Sequence, residues 1–147
     1  MSFLKEEELK NILPINGPSV EEVKKYIDKY YDESIVIKCG GSVLLDPSLF
    51  DIFIKDISIL NKLGFTPIIV HGGGKRISNK LNEIGLESKF IKGLRVTDKE
   101  TIKVVEEVLI DFNRDIVSSL KKLGSEAASF HTKTKNIICS KKHSWLR

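Results

Sequence analysis

Cysteine, methionine and tryptophan are scarce in this chain: among 147 residues there are two cysteines, one methionine and one tryptophan. Cys39 and Cys139 lie far apart and in no CxxC spacing. Neither a disulfide framework nor a thiolate metal site is indicated, and both read as inert buried thiols. No apolar run approaches the roughly 18 residues that a membrane-spanning helix needs. The opening MSFLKEEELK is acidic, where a signal or transit peptide would be basic or apolar, so the cytoplasm is the expected location. Acidic residues are missing from Ala127 onward, a stretch that holds Lys133, Lys135, Lys141, Lys142 and Arg147. The remaining 19 basic and 20 acidic residues nearly cancel, so the net charge of +4 belongs to the C-terminal end. That end suits a solvated hairpin or a piece cut from a longer domain better than a nucleic-acid patch, and no nucleic-acid or membrane partner is expected.

What is present is enough for one core: 41% of the residues are hydrophobic and 30% charged, which excludes disorder and fits a single soluble domain or one lobe of something larger. Residues 1–32 stand apart as a helical arm. FLKEEELKNIL has helical spacing and carries Phe3, Leu4, Leu9, Ile12 and Leu13. PINGP breaks it, and SVEEVKKYIDKYY restarts with Ser19 and Glu22 placed as a capping box and Val20, Val23, Ile27 and Tyr30 on one face.

From residue 33 to 147 the pattern changes. SIVIKCGG reads as a strand ending in glycines, followed by the helix DPSLFDIFIKDISILNKLG with Pro47 in its first turn and Gly64 past its end. TPIIVHGGG and KRISNKLNEIG repeat the unit, and a third, longer helix is predicted to open at Thr97 with Glu100 completing a capping box. EAASF and NIICS read as short strands. Strands alternating with such helices predict an α/β fold, a three-layer α/β/α sandwich with a mostly parallel sheet covered on both faces.

Both glycine runs then fall at the carboxyl ends of parallel strands, where open α/β sheets bind ligands. Glycine leaves the backbone amides unobstructed there, and the following helix adds its positive end, so an anionic ligand is the natural guest. Tight turns alone would also use glycine, but two runs in consecutive units favour binding. Neither the Walker spacing GxxxxGK[ST] nor the dinucleotide pattern GxGxxG is present.

KCGGS after the first strand, VHGGG after the second and GLRVTD at residues 93–98 occur in that order, and together they resemble the amino acid kinase family. Within it, IVHGGG, GLRVTD and VVEEVL look like the acetylglutamate kinases of microbial arginine synthesis. The resemblance spans roughly residues 34–130. It implies ATP as phosphoryl donor, with Mg2+ held mainly by the nucleotide, and N-acetyl-L-glutamate as acceptor. It assigns Lys38 as the catalytic lysine and Gly40 and Gly41 to the transferring phosphoryl group. The physical reading agrees, since a lysine beside a glycine turn can neutralise charge developing between donor and acceptor oxygens. As a bland alternative, Lys38 only marks where the strand meets water.

Gly72 and Gly73 are assigned to the substrate, with Gly74 finishing the turn, and Arg95 to the substrate's α-carboxylate, which a planar guanidinium fork suits; a surface salt bridge is the alternative for Arg95. His71 reads as structural, because a carboxylate nucleophile is already ionised near neutral pH. His131 and His143 receive no role. No protein metal site is assigned.

Two departures stand out. SFHTKTKN at residues 129–136 replaces a glycine-rich stretch of the family, and the chain stops before the family's nucleotide-binding half, so it is expected to be an N-terminal lobe. A non-catalytic acylamino-acid-binding or assembly module is the other reading. The arm's position ahead of the core is similar to that of an N-terminal helix in arginine-inhibited acetylglutamate kinases. This implies a homo-oligomer larger than a dimer, with arginine as a possible effector.

Overall fold

The computed structural model describes residues 5–41 and 45–134. The arm forms two helices, α1 (Glu6–Ile12) and α2 (Val20–Tyr30). At the start of α2 the expected capping box is in place: the Ser19 amide donates to Glu22 Oε2 at 3.0 Å and the Glu22 amide donates to Ser19 Oγ at 3.3 Å. Part of the apolar stripe packs on the chain itself. Leu9, Val23 and Ile27 are buried with Phe65, and Ile35, Leu60 and Leu63 of the following domain pack against them. Among the described residues of the arm, Leu9, Val23 and Ile27 are thus buried within the chain itself, while Tyr30 stays exposed.

Two strands, β1 (Ser34–Cys39) and β2 (Thr66–His71), pair in parallel with Ser34 opposite Thr66 and Cys39 opposite His71. The crossover between them is α3 (Pro47–Lys62), capped by Asp46, whose carboxylate accepts from the Ser48 and Leu49 amides. Pro47 occupies the first turn, where its missing N–H costs nothing. Beyond the helix, Gly64 takes a φ of +92°, the left-handed conformation that closes many helices. After β2 come α4 (Gly74–Glu83), a short antiparallel hairpin of β3 (Phe90–Ile91) and β4 (Leu94–Arg95), and α5 (Lys99–Lys122).

One cluster joins these elements: Cys39 from β1, Ile54 and Ile57 from α3, and Phe112, Ile116 and Leu120 from α5, with Ile37 and Ile69 against them. The α/β class, the parallel pairing and the N-terminal helical arm are all found. Among the described residues helices lie on one face of the strand pair, while Val36, Ile68 and Val70 on the other face are 66%, 46% and 49% exposed.

Two expectations change in detail. α5 is capped by Asp98 and not by Thr97: the Asp98 carboxylate accepts from the Glu100 and Thr101 amides, while the Thr97 hydroxyl donates to the Arg95 carbonyl. A carboxylate one residue later reaches the same free amides and carries charge that favours the helix start. EAASF pairs with no strand among the described residues. NIICS lies outside the described residues. The β3–β4 hairpin was not expected. Its turn places both Lys92 (φ 49°) and Gly93 (φ 79°) in the left-handed region, the requirement of a two-residue type I′ turn.

Candidate functional site

Register brings the two glycine turns together. Lys38 pairs with Val70 and Cys39 with His71, so Gly40–Gly41 and Gly72–Gly73 leave the sheet side by side at the carboxyl ends of β1 and β2. A Cβ built on Gly41 would lie 3.8 Å from the Gly74 amide nitrogen. Ser42 of the first run lies outside the described residues.

The fold itself does not require most of these glycines. None of residues 40, 41, 72, 73 and 74 has a positive φ, and a Cβ at Gly40, Gly72 or Gly74 would meet nothing within 4 Å. Gly73 differs, since a Cβ there would sit 2.8 Å from Leu109 Cδ2, so its small size also serves the packing of α4 on α5. Where neither conformation nor internal crowding demands glycine, close approach from outside is the remaining physical reason.

The helix that follows is left open. Ser19, Asp46 and Asp98 cap α2, α3 and α5 with side-chain oxygens, whereas α4 begins after Gly73, which has none to offer. Among the described residues the first-turn amides of α4 therefore have no side-chain partner just where the two turns meet, an arrangement suited to an anion.

Arg95 reaches this point from the hairpin. Its Nη2 donates to the Gly74 carbonyl at 3.1 Å and to Ser78 Oγ at 2.9 Å, its Nη1 donates to Ser88 Oγ, and the guanidinium lies 4.6 Å from the centre of the Phe90 ring. All three hydrogen-bonding partners are neutral. Among the described residues no carboxylate pairs with Arg95, so the surface salt bridge is not what holds it. Its positive charge is held in place without being neutralised. Ser78 and Ser88 were not singled out from the sequence; the one available signal was that Ser78 stands four residues after Gly74, on the same face of α4.

Lys38 is exposed on the open side of β1 and makes no ion pair among the described residues. His71 is held. Its Nδ1 lies 3.4 Å from the Gly72 carbonyl, its Nε2 3.4 Å from Asn113 Nδ2, and its ring stands edge-on to Phe112. As the Asn113 amide is placed, those two contacts correspond to the neutral tautomer with the proton on Nδ1. Burial pushes its pKa down, against a smaller upward pull from the Gly72 carbonyl, and the Arg76 charge adds to the depression.

A groove of about 900 Å³ runs along β2 between α5 and residues 125–132, and its lining is mostly apolar. Neither Lys38 nor Arg95 nor any of the glycines lines it. Among the described residues no three His, Cys, Asp or Glu side chains are grouped to hold a metal ion, and no helix is long and apolar enough to cross a membrane.

Residues 33–139 match the model of the amino acid kinase family. Over 138 residues the chain is 63% identical to acetylglutamate kinase of Pelagibacter ubique, covering 94% of this chain and 48% of that protein. It is 44% identical over 124 residues to acetylglutamate kinase of Thiobacillus denitrificans, covering 84% and 42%. The chain thus spans about half the length of the curated relatives it matches. Among solved structures, N-acetylglutamate synthase from Neisseria gonorrhoeae complexed with coenzyme A and N-acetyl-glutamate superposes with a TM-score of 0.58 at 21% identity, covering 69% of this chain and 24% of that one. At that identity the likeness concerns the fold.

Proposed function

The chain belongs to the amino acid kinase family, and from that premise we propose that it supplies the acceptor-binding half of an acetylglutamate kinase. The reaction moves the γ-phosphoryl group of ATP onto the side-chain carboxylate of N-acetyl-L-glutamate. A carboxylate oxygen attacks phosphorus, the bond to the ADP oxygen breaks, and an acyl phosphate forms without any proton leaving the acceptor. That carboxylate is ionised near neutral pH, so no base is needed, in keeping with a His71 held by Gly72 and Asn113.

The observation that carries this reading is the uncompensated guanidinium of Arg95, seated at Gly74 where the two glycine turns meet. A cation with only neutral partners binds an α-carboxylate without first breaking an ion pair. The open turn at Gly72–Gly73 lets the reacting carboxylate come near the backbone and the uncapped start of α4. Lys38, beside Gly40 and Gly41, is the group for the charge that spreads over the phosphoryl oxygens in the transition state. ATP supplies the phosphoryl group when bound, and its Mg2+ is held mainly by its own phosphates. Assembly beyond a dimer and inhibition by arginine are the same proposal at the level of the whole protein; the exposed Tyr26 and Tyr30 of the arm offer surface for it.

Two measurements test this. Calorimetry on the 147-residue chain is expected to show binding of N-acetyl-L-glutamate. An ATP-dependent assay is expected to show no turnover by this chain and robust turnover once it is joined to the remaining half of a relative, because catalysis needs donor and acceptor clamped together. Binding without turnover in the joined protein would favour the non-catalytic module.

A further inference from the structure

We propose that Ser78 is a positioning residue for Arg95: with the Gly74 carbonyl it forms a neutral cradle that holds the guanidinium at the glycine turns and leaves its charge available. The role of the held charge rests on the reading of Arg95 as a carboxylate-binding residue; the holding itself does not.

The argument begins with how weakly the hairpin is otherwise placed. β3 and β4 have two residues each, and Phe90, Ile91 and Leu94 are 54%, 65% and 62% exposed. So little burial cannot fix the hairpin against the rest of the molecule. Arg95 ties it down. Nη2 carries two hydrogens, and both are engaged, one by the Gly74 carbonyl at 3.1 Å and one by Ser78 Oγ at 2.9 Å.

The two acceptors are a turn apart on α4, and the helical repeat puts them on one face. They move as one body with the glycine turn. Ser88, which accepts from Nη1, lies just ahead of β3 on the hairpin's own approach. Ser88 can orient the guanidinium within the hairpin. Only the α4 pair fixes it relative to Gly72–Gly74.

The choice of serine has a second consequence. An aspartate at residue 78 would hold Arg95 more tightly but would neutralise it, and an incoming carboxylate would then have to displace a charged partner. The hydroxyl accepts from Nη2 and keeps its own hydrogen free to donate, so the cradle itself does not repel an anion.

The test uses the full 147-residue chain with two readouts: exchange and rotation of the Arg95 guanidinium by nitrogen-15 NMR, and binding of N-acetyl-L-glutamate by calorimetry. Ser78→Ala is expected to release the guanidinium and weaken binding about tenfold, the scale of a lost hydrogen bond to a charged group. Ser78→Thr, which keeps the hydroxyl, restores both. Ser88→Ala changes binding by no more than about twofold. Ser78→Asp keeps the guanidinium restrained yet binds more weakly than Ser78→Ala.

A guanidinium as restrained in Ser78→Ala as in the parent chain overturns the proposal, whether or not the chain binds acetylglutamate. So does unchanged affinity in Ser78→Ala where Arg95→Ala abolishes binding. If Arg95→Ala binds as well as the parent while Ser78→Ala still frees the guanidinium, the carboxylate reading of Arg95 fails and the positioning role stands.

Discussion

At the scale of single residues, the site separates two kinds of positive charge. Lys38 is exposed beside a turn with no ion pair among the described residues, whereas Arg95 is half-buried and held by three hydrogen bonds. A charge with no ground-state ion pair is available to charge that develops during reaction, whereas a guanidinium held by neutral partners can orient a ground-state carboxylate. In the protein joined to its remaining half, Lys38→Ala is expected to lower kcat about a hundredfold with little change in acetylglutamate affinity. Arg95→Ala is expected chiefly to raise KM. Swapped profiles would refute both assignments.

His71 gives a test of a different sort. Its depressed pKa means that the folded chain resists a proton which the unfolded chain accepts. Above the ordinary histidine value of about 6.5 the ring is neutral in both states and costs nothing. As pH falls through that value the unfolded state gains the proton first, and stability drops until the folded ring also protonates. His71→Gln should therefore flatten the loss of urea stability between about pH 7.5 and pH 5.5. An unchanged slope would place the titration elsewhere.

At the scale of elements, glycines that look alike in the sequence do different work. Gly64 ends α3 at a φ of +92°, and a Cβ there would come within 2.6 Å of the Tyr31 ring. Gly64→Ala meets backbone strain and a rigid aromatic together and should cost about 2 kcal/mol or more. Gly73→Ala has no positive φ to relieve and meets the end of the Leu109 side chain at 2.8 Å. A leucine methyl can rotate away, so this change should cost about 1 kcal/mol or less, and Leu109→Ala should erase most of it. Urea midpoints of the three variants decide the order. Reversed costs would show that the packing of α4 on α5 is tighter than the closure of α3.

At the scale of the whole molecule, the arm and the α/β unit share a boundary. Leu9, Val23, Ile27 and Phe65 form one buried cluster, so the described residues of the arm act as part of the domain's packing. Deleting them should expose Phe65 and Ile35 and lower the unfolding midpoint of the chain itself. Light scattering in the complete protein addresses assembly separately. A deletion that leaves the midpoint unchanged but lowers the oligomer's mass would mean that the stripe is covered by a neighbour in solution.

Much of the fold was legible along the chain because its causes are local. The Ser19–Glu22 box, Pro47 and Gly64 at the two ends of α3, and β-branched runs broken by glycines each act within a few residues of where they stand. The α/β class and the meeting of two glycine runs at strand ends follow from that order. What the sequence could not determine is relational. That Arg95 rests on Ser78 and Gly74, seventeen and twenty-one residues back, depends on a two-residue turn at Lys92–Gly93 folding the hairpin over the start of α4. That Gly73 faces Leu109 while Gly72 faces open space depends on where α5 lies. That the arm buries its stripe on Phe65 depends on the packing of whole elements. Propensity and periodicity act along the chain, whereas these contacts exist only once separate elements exclude the same water, and only the tertiary structure decides which ones do so.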